Sequence, residues 1–174
     1  RFVGSHPLCG SEKTGVANAS ANLFEGATCA VTPTEQSDAE AVVKVNEFWS
    51  ALGGKLVNLT AEAHDNIVAR TSHLPHVVAS ALVNAVLCKP CTEESDFFGT
   101  GFTDTTRLAS GSPTMWRDIA LTNAEAIQKA IDDLQFELAE LKKVLAIKDA
   151  DALEKFFKES KASRDRWLEG EGKK

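Results

Sequence analysis

The sequence predicts a mainly α chain with an α/β piece at its N-terminal end. Three observations carry that reading: short β-branched runs confined to residues 1–60, apolar residues at helical spacing beyond them, and a heptad seam over 124–145. With 174 residues, 43% of them hydrophobic and 25% charged, the chain is long enough to bury a core and too apolar to be disordered. Lys and Arg total 19 against 25 Asp and Glu, a net charge of −6. A surface of that sign repels phosphate backbones, so nucleic acid is not an expected partner. The longest apolar stretch, residues 77–88, is interrupted by Ser80 and Asn84 and is too short to cross a bilayer, so no membrane partner is expected.

Residues 1–5 and 27–32 read as strands, the second stopped by Pro33, and 55–59 as a third. Between the last two lies a helix with Ser37 as N-cap, Glu40 at the capping-box position and Gly53 just past its end. Its inward stripe is Val42, Val45, Phe48, Trp49 and Leu52. Three short strands and one helix rarely stand alone, so residues 1–60 read as the margin of a larger sheet. A strand at Arg1, with no Met or leader ahead of it, carries the expectation that the chain was cut from something longer.

From Thr60 the pattern is helical, with Ile67, Leu74, Val78, Ala81, Leu82 and Ala85 on one stripe. Pro75 inside that stripe predicts a kink, with the carbonyl of Thr71 deprived of its usual donor. Residues 89–112, with Pro90, Gly99, Gly101 and Gly111, read as loop or short turns. Ser112 and Pro113 open the next helix as N-cap and first residue. That helix carries Ala124, Ile127, Ile131, Leu134, Leu138, Leu141 and Leu145, a seam that wants another helix from this chain or from a second copy. Asp149 caps a last helix with Leu153, Phe156, Phe157 and Trp167 on its face, and 170–174 is expected to fray. Cys9, Cys29, Cys88 and Cys91 are too few and too irregular for a disulfide framework, which fits a reducing cytoplasm. In that compartment the sequons at Asn18 and Asn58 carry no weight.

Four clusters could carry chemistry. In Gly4-Ser-His-Pro-Leu-Cys-Gly-Ser-Glu12 a strand runs into His, Pro and glycines, and a histidine there is placed for acid–base work or is simply a turn residue. His64-Asp65 and Ser72-His-Leu-Pro-His76 form a polar group inside an apolar helix, with His73 and His76 on one face. Buried polar groups need partners, so this group borders a ligand or holds an internal network. In residues 99–109, Arg107 offers a planar fork of donors suited to a carboxylate, and Asp104 could orient it if the segment is helical. An exposed Asp–Arg pair without function is the plainer reading. The single Cys-x-x-Cys at 88–91 is weak evidence for zinc.

Three of these strings, Gly4 to Glu12, Ser72 to His76 and Gly101-Phe-Thr-Asp-Thr-Thr-Arg107-Leu-Ala-Ser-Gly111, resemble the prephenate/arogenate dehydrogenase family in order and separation. His64-Asp65, Met115-Trp116, Leu23-Phe-Glu-Gly-Ala-Thr28 and Thr32-Pro33 are similar to it too. The resemblance runs from Arg1 to about Ile131. It implies NAD- or NADP-dependent oxidative decarboxylation of prephenate or arogenate, on the route to tyrosine. It also implies the edge of a Rossmann-type nucleotide-binding domain over 1–60, followed by an all-helical substrate-binding and dimerisation domain over 61–174. By motif, His6 is implied as the group that accepts the proton of the ring hydroxyl and Arg107 as the carboxylate clamp. Ser72, His73 and His76 are implied as pocket wall, Ser11 and Glu12 lie near the substrate's side-chain end, and Asp104 supports the Arg107 segment. A homodimer through the helical domain is the implied partner, and no metal is expected.

Three departures stand out. The Gly-x-Gly-x-x-Gly fingerprint is absent, so most of the family's nucleotide-binding half is missing here and the chain alone is not expected to hold its cofactor. Cys9 stands where Ala is commoner, and Thr103 where a basic residue is commoner. Two other readings compete. One is a non-catalytic helical dimerisation module. The other is an HD-type metal-dependent hydrolase on His64-Asp65 with His73 and His76, although the further upstream histidine of that class is lacking.

Overall fold

The computed structural model describes residues 2–9, 15–87 and 97–171, and groups them in two compact units, Arg1–Gln128 and Lys129–Lys174. In the first unit a three-stranded sheet has the order β1-β2-β3, with β1 at Gly4–Leu8, β2 at Thr28–Thr32 and β3 at Lys55–Asn58. β1 runs antiparallel to β2, in a register that sets His6 opposite Ala30, while β2 and β3 are parallel. A parallel pair needs a crossover, and helix α1 (Ala39–Ala51) supplies it. Cys29, Ala30 and Val31 of the central strand form the sheet's buried core.

The expected N-cap of α1 is displaced by one residue. Asp38 caps it by accepting from Ala41 N at 3.0 Å, whereas the Ser37 hydroxyl accepts from Thr34 N at 2.9 Å in the preceding turn. Gly53, at φ +82°, does follow the helix in the left-handed region. Of the expected inward stripe, Phe48 is 56% exposed, so this small sheet leaves part of the helix's apolar face uncovered.

Helix α2 (Ala61–Val68) follows β3 directly and is capped by Thr60. It runs through a π turn (Ala69–His73) into α3 (Leu74–Leu87). Pro75 thus falls at the second residue of α3, where a missing N–H is tolerated, and the wider turn absorbs the expected kink. The extra residue also rotates the buried face. Val68, Ala69, His76 and Ala79 are buried, while the expected Ile67 is 49% exposed.

The segment expected to be loop contains helix α4 (Thr100–Thr106) and a 3-10 turn (Arg107–Ser110) packed on α3. Helix α5 (Pro113–Thr122) begins at Ser112 and Pro113 as expected. It is not continuous with the seam. Asn123, at φ −121° and ψ 34°, ends α5, and α6 (Ala124–Ile147) starts anew. The Cys-x-x-Cys at 88–91 lies outside the described residues.

The second unit holds the rest of α6, helix α7 (Ala150–Arg166) and a closing π turn (Trp167–Glu171). Lys148, at φ 54°, turns the chain after α6, with Lys148 N donating to Leu145 O at 3.2 Å and Asp149 N to Val144 O at 3.3 Å. Asp149 caps α7 as expected, accepting from Ala152 N at 3.0 Å. Leu138 and Leu145 of the seam are 56% and 54% exposed, so among the described residues nothing covers the seam at these two positions. Among the described residues no helix is long and apolar enough to cross a membrane.

A histidine cluster as candidate active site

Strand β1, helix α2 and the π turn bring three of the four histidines together. His6 Nδ1 lies 2.9 Å from His64 Nε2, and His64 Nδ1 lies 2.8 Å from the Asp65 carboxylate. The carboxylate accepts and so fixes the proton of His64 on Nδ1. His64 Nε2 is then a lone pair that accepts from His6 Nδ1–H. The result is a directed relay in which His6 Nε2 is left as a bare acceptor. His6 keeps an exposed edge, but partial burial of its ring, and then the neighbouring His64, lower its pKa below the ordinary 6.5. A neutral imidazole with a free lone pair is the form a general base requires.

His73 stands beside this pair. Its pKa is lowered chiefly by burial and then by His6 and His64, with Asp65 pulling the other way. Its Nδ1 is 3.3 Å from the side-chain nitrogen of Asn123. His76, only 7% exposed, stacks on Trp116 with centroids 3.5 Å apart and planes 12° off parallel, and burial lowers its pKa. Trp116 also meets His73 edge-on at 6.1 Å.

These rings border a cavity of about 450 Å³ whose lining includes His73, His76, Ser80, Asn84, Gly111 and Trp116. Gly111 is required there. A Cβ on it would meet Trp116 Nε1 at 2.6 Å and His76 Cε1 at 2.9 Å, so only glycine lets the end of the 3-10 turn reach the stack. The space is apolar with a few convergent polar groups, the usual character of a small-molecule site.

Of the residues singled out in the sequence, His73 and His76 line this cavity, and His6 joins the cluster through His64 without lining it. Ser72 is exposed on the π turn, Asp104 is exposed on α4, and Arg107 is exposed at the head of the 3-10 turn. None of these three lines the cavity, although Ala109 and Gly111, just after Arg107, do. Ser11 and Glu12 lie outside the described residues. His64 and Asp65 stand in the sequence as part of a polar cluster and as metal ligands of the HD-type reading, Trp116 only as a motif match, and Asn123 gives no signal because it continues the polar face of what reads as one helix. Both ring nitrogens of His64 are hydrogen-bonded within the protein, to His6 and to Asp65. Among the described residues no group of three or more metal-ligating side chains is assembled.

Known proteins resemble this chain along most of its length. Residues 60–159 match the family model described as prephenate dehydrogenase, dimerization domain, and residues 1–58 the one described as prephenate dehydrogenase, nucleotide-binding domain. The cyclohexadienyl dehydrogenase of Zymomonas mobilis is 36% identical over 166 residues, which is 94% of this chain and 57% of the relative. The prephenate dehydrogenase of Bacillus subtilis is 36% identical over 173 residues, 95% of this chain and 45% of the relative. The crystal structure of prephenate dehydrogenase from Aquifex aeolicus, in complex with hydroxyphenyl propionate and NAD+, superposes with a TM-score of 0.90 at 38% identity, covering 95% of this chain and 59% of that one. The chain thus spans about half the length of the curated relatives it matches. A family model covering most of the helical part, relatives that align along nearly the whole chain, and a closely superposing structure agree: the chain belongs to the prephenate dehydrogenase family.

Proposed function

We propose that the chain supplies the substrate pocket and dimer contact of an NAD(P)-linked enzyme that oxidatively decarboxylates prephenate or arogenate to 4-hydroxyphenylpyruvate or tyrosine. The observation that carries this reading is the Asp65–His64–His6 relay, whose bare imidazole nitrogen belongs to the same histidine cluster as His73, a wall of the apolar cavity.

The residues of this chain do not fit the phosphates of a dinucleotide. Helix α1 is the crossover of a β–α–β unit, yet its N-terminus is capped by the Asp38 carboxylate and carries Glu40 in the first turn. The chain has no Gly-x-Gly-x-x-Gly string either. The cofactor grip therefore belongs to residues other than these; held there, the cofactor would accept the hydride lost by the ring carbon bearing the hydroxyl. His6 Nε2 takes the proton of that hydroxyl as the hydride departs. The new positive charge is shared through His6 Nδ1–H with His64 and balanced by Asp65. When the carbon–carbon bond to the ring carboxylate breaks, its electron pair aromatises the ring, carbon dioxide leaves, and His6 returns the proton to the phenolate oxygen.

Arg107 clamps a substrate carboxylate, with Asp104 supporting its segment. His73 and His76 wall the pocket, Ser72 borders it from the exposed side of the π turn, and Ser11 and Glu12, outside the described residues, are assigned by motif to the substrate's side-chain end. Residues 1–60 belong to the nucleotide-binding domain and 61–174 to the substrate-binding and dimerisation domain. The exposed Leu138 and Leu145 on α6 pair with a second copy in a homodimer. Free Cys9 and Cys29 fit a reducing cytoplasm. The test joins this chain to the nucleotide-binding segment of the Aquifex aeolicus enzyme that it does not cover. Prephenate- or arogenate-dependent formation of NADH or NADPH is expected, and a folded chimera that binds the cofactor but oxidises neither substrate contradicts the proposal.

A further inference from the structure

We infer that Asn123 is a positioning residue whose side-chain amide, set across helix α2 and the π turn, holds His73 with its ring proton on Nε2, so that the cluster presents His6 as acceptor and His73 as donor. Asn123 sits at the break between α5 and α6. Its backbone N–H donates to Ile119 O at 3.1 Å, and its carbonyl accepts from Ile127 N at 3.1 Å. The side chain turns across to α2, where Nδ2 donates to the backbone carbonyl of Asp65 at 2.8 Å. A carbonyl only accepts, so this bond fixes which end of the amide is the NH2 group. That same nitrogen lies 3.3 Å from His73 Nδ1. Facing a donor, Nδ1 must be the lone pair and the ring proton must sit on Nε2.

Asp65 therefore serves both histidines. Its carboxylate directs His6, through His64, to offer a lone pair, and its backbone carbonyl orients Asn123, which makes His73 offer an N–H. Neither His6 Nε2 nor His73 Nε2 has a hydrogen-bond partner among the described residues, so both are open to a ligand. A molecule that matches the pair carries a hydroxyl to donate to His6 and an anionic oxygen to accept from His73. Resting on the function proposed above, the two are the ring hydroxyl and a carboxylate of the substrate, and Asn123 is then a specificity-determining residue that touches neither. The charged and titratable groups beside His73 are His6 from β1 and His64 and Asp65 from α2, and burial with the two imidazoles keeps His73 neutral and its tautomer meaningful.

Long-range proton–nitrogen correlation spectra of the histidine rings in the 174-residue chain test this directly, because only four histidines are present. In the unaltered chain at neutral pH, His73 is expected with Nδ1 bare and Nε2 protonated, and His6 with the reverse pattern. In Asn123→Asp the new carboxylate accepts from Nδ1, so the His73 proton moves to Nδ1 and its titration midpoint rises on the order of one pH unit. The His6 pattern stays. Asn123→Ala, if the aspartate variant does not fold, should give His73 as a mixture of both tautomers. Protonated Nδ1 in the unaltered chain, or an unchanged His73 pattern in either folded variant, overturns the inference. This readout needs no turnover, so it stands or falls apart from the proposed reaction.

Discussion

Gly111→Ala probes the packing that shapes the cavity. The added methyl would stand 2.6 Å from Trp116 Nε1 and 2.9 Å from His76 Cε1, where ordinary contact begins at 3.4 Å. One or both rings must therefore give way by several tenths of an ångström. Their own stack, at 3.5 Å, leaves no slack between them, and His76 is 7% exposed, so the added methyl must displace packed rings. Overpacking of this kind costs about 1–3 kcal/mol. At about 2–4 °C per kcal/mol for a chain of this size, the unfolding midpoint should fall by roughly 2–12 °C. The assay is thermal unfolding followed by near-ultraviolet circular dichroism, with Gly101→Ala as control. Gly101 lies in α4 with nothing within 4 Å of its would-be Cβ, so alanine there should stabilise by about 0.5–1 kcal/mol. A Gly111→Ala variant with unchanged midpoint and unchanged tryptophan signal would refute the close approach and the His76–Trp116 stack with it.

Other predictions concern charge. Asp65→Asn in the chimera keeps an acceptor for His64 Nδ1–H but removes its charge, so kcat should fall roughly fivefold, the equivalent of about 1 kcal/mol; an unchanged kcat would remove Asp65 from the relay. Arg107→Ala should raise KM about thirtyfold with little change in kcat, the low end of roughly 2–5 kcal/mol for a charge pair, because Arg107 is exposed. An unchanged KM would remove the clamp. His6, His73 and His76 all have folded pKa values below the ordinary 6.5, so the unfolded chain binds more protons than the folded one beneath that pH. Stability gained from keeping them neutral is present above pH 6.5 and lost as the pH falls below it. Denaturant midpoints that stay level between pH 7.5 and 5 would contradict those shifts.

Much of the fold is legible in the sequence because local rules decide it. The β-branched runs of β2 and β3, Pro113 after Ser112, and Asp149 ahead of α7 each act within a turn of themselves, whereas β1 lies at Gly4–Leu8 rather than 1–5 and takes His6 and Pro7 into the strand. Helix α4 escapes such rules: two glycines and four threonines in Thr100–Thr106 and its cap argue against a helix. In the structure the hydroxyls of Thr105 and Thr106 donate back to the carbonyls of Gly101 and Phe102 at 2.7 Å, and thus remain satisfied within the helix. Asn123 breaks what reads as one long helix, and the heptad seam gives no sign of the break because all of it, from Ala124 to Leu145, lies after Asn123. The π turn is equally silent, since adding one residue to a turn leaves the composition unchanged while rotating the apolar face from Ile67 to Val68 and Ala69.

The site divides in the same way. The motif strings point to His6, His73 and His76, but the His6–His64 contact joins residues 58 apart, and no spacing within a single element encodes it. It follows from strand β1 and the start of α2 being brought side by side through β2 and β3. Asn123 is hidden for the same reason, as its bond to Asp65 O also crosses 58 residues.

The proton acceptor is the centre of this account, and His6→Asn in the active chimera tests it most directly. With the asparagine unable to take up a proton, kcat should fall by about 10²–10⁴-fold while KM changes little. A variant that turns over at the parent rate would contradict the assignment of His6 and, with it, the purpose of the relay behind it.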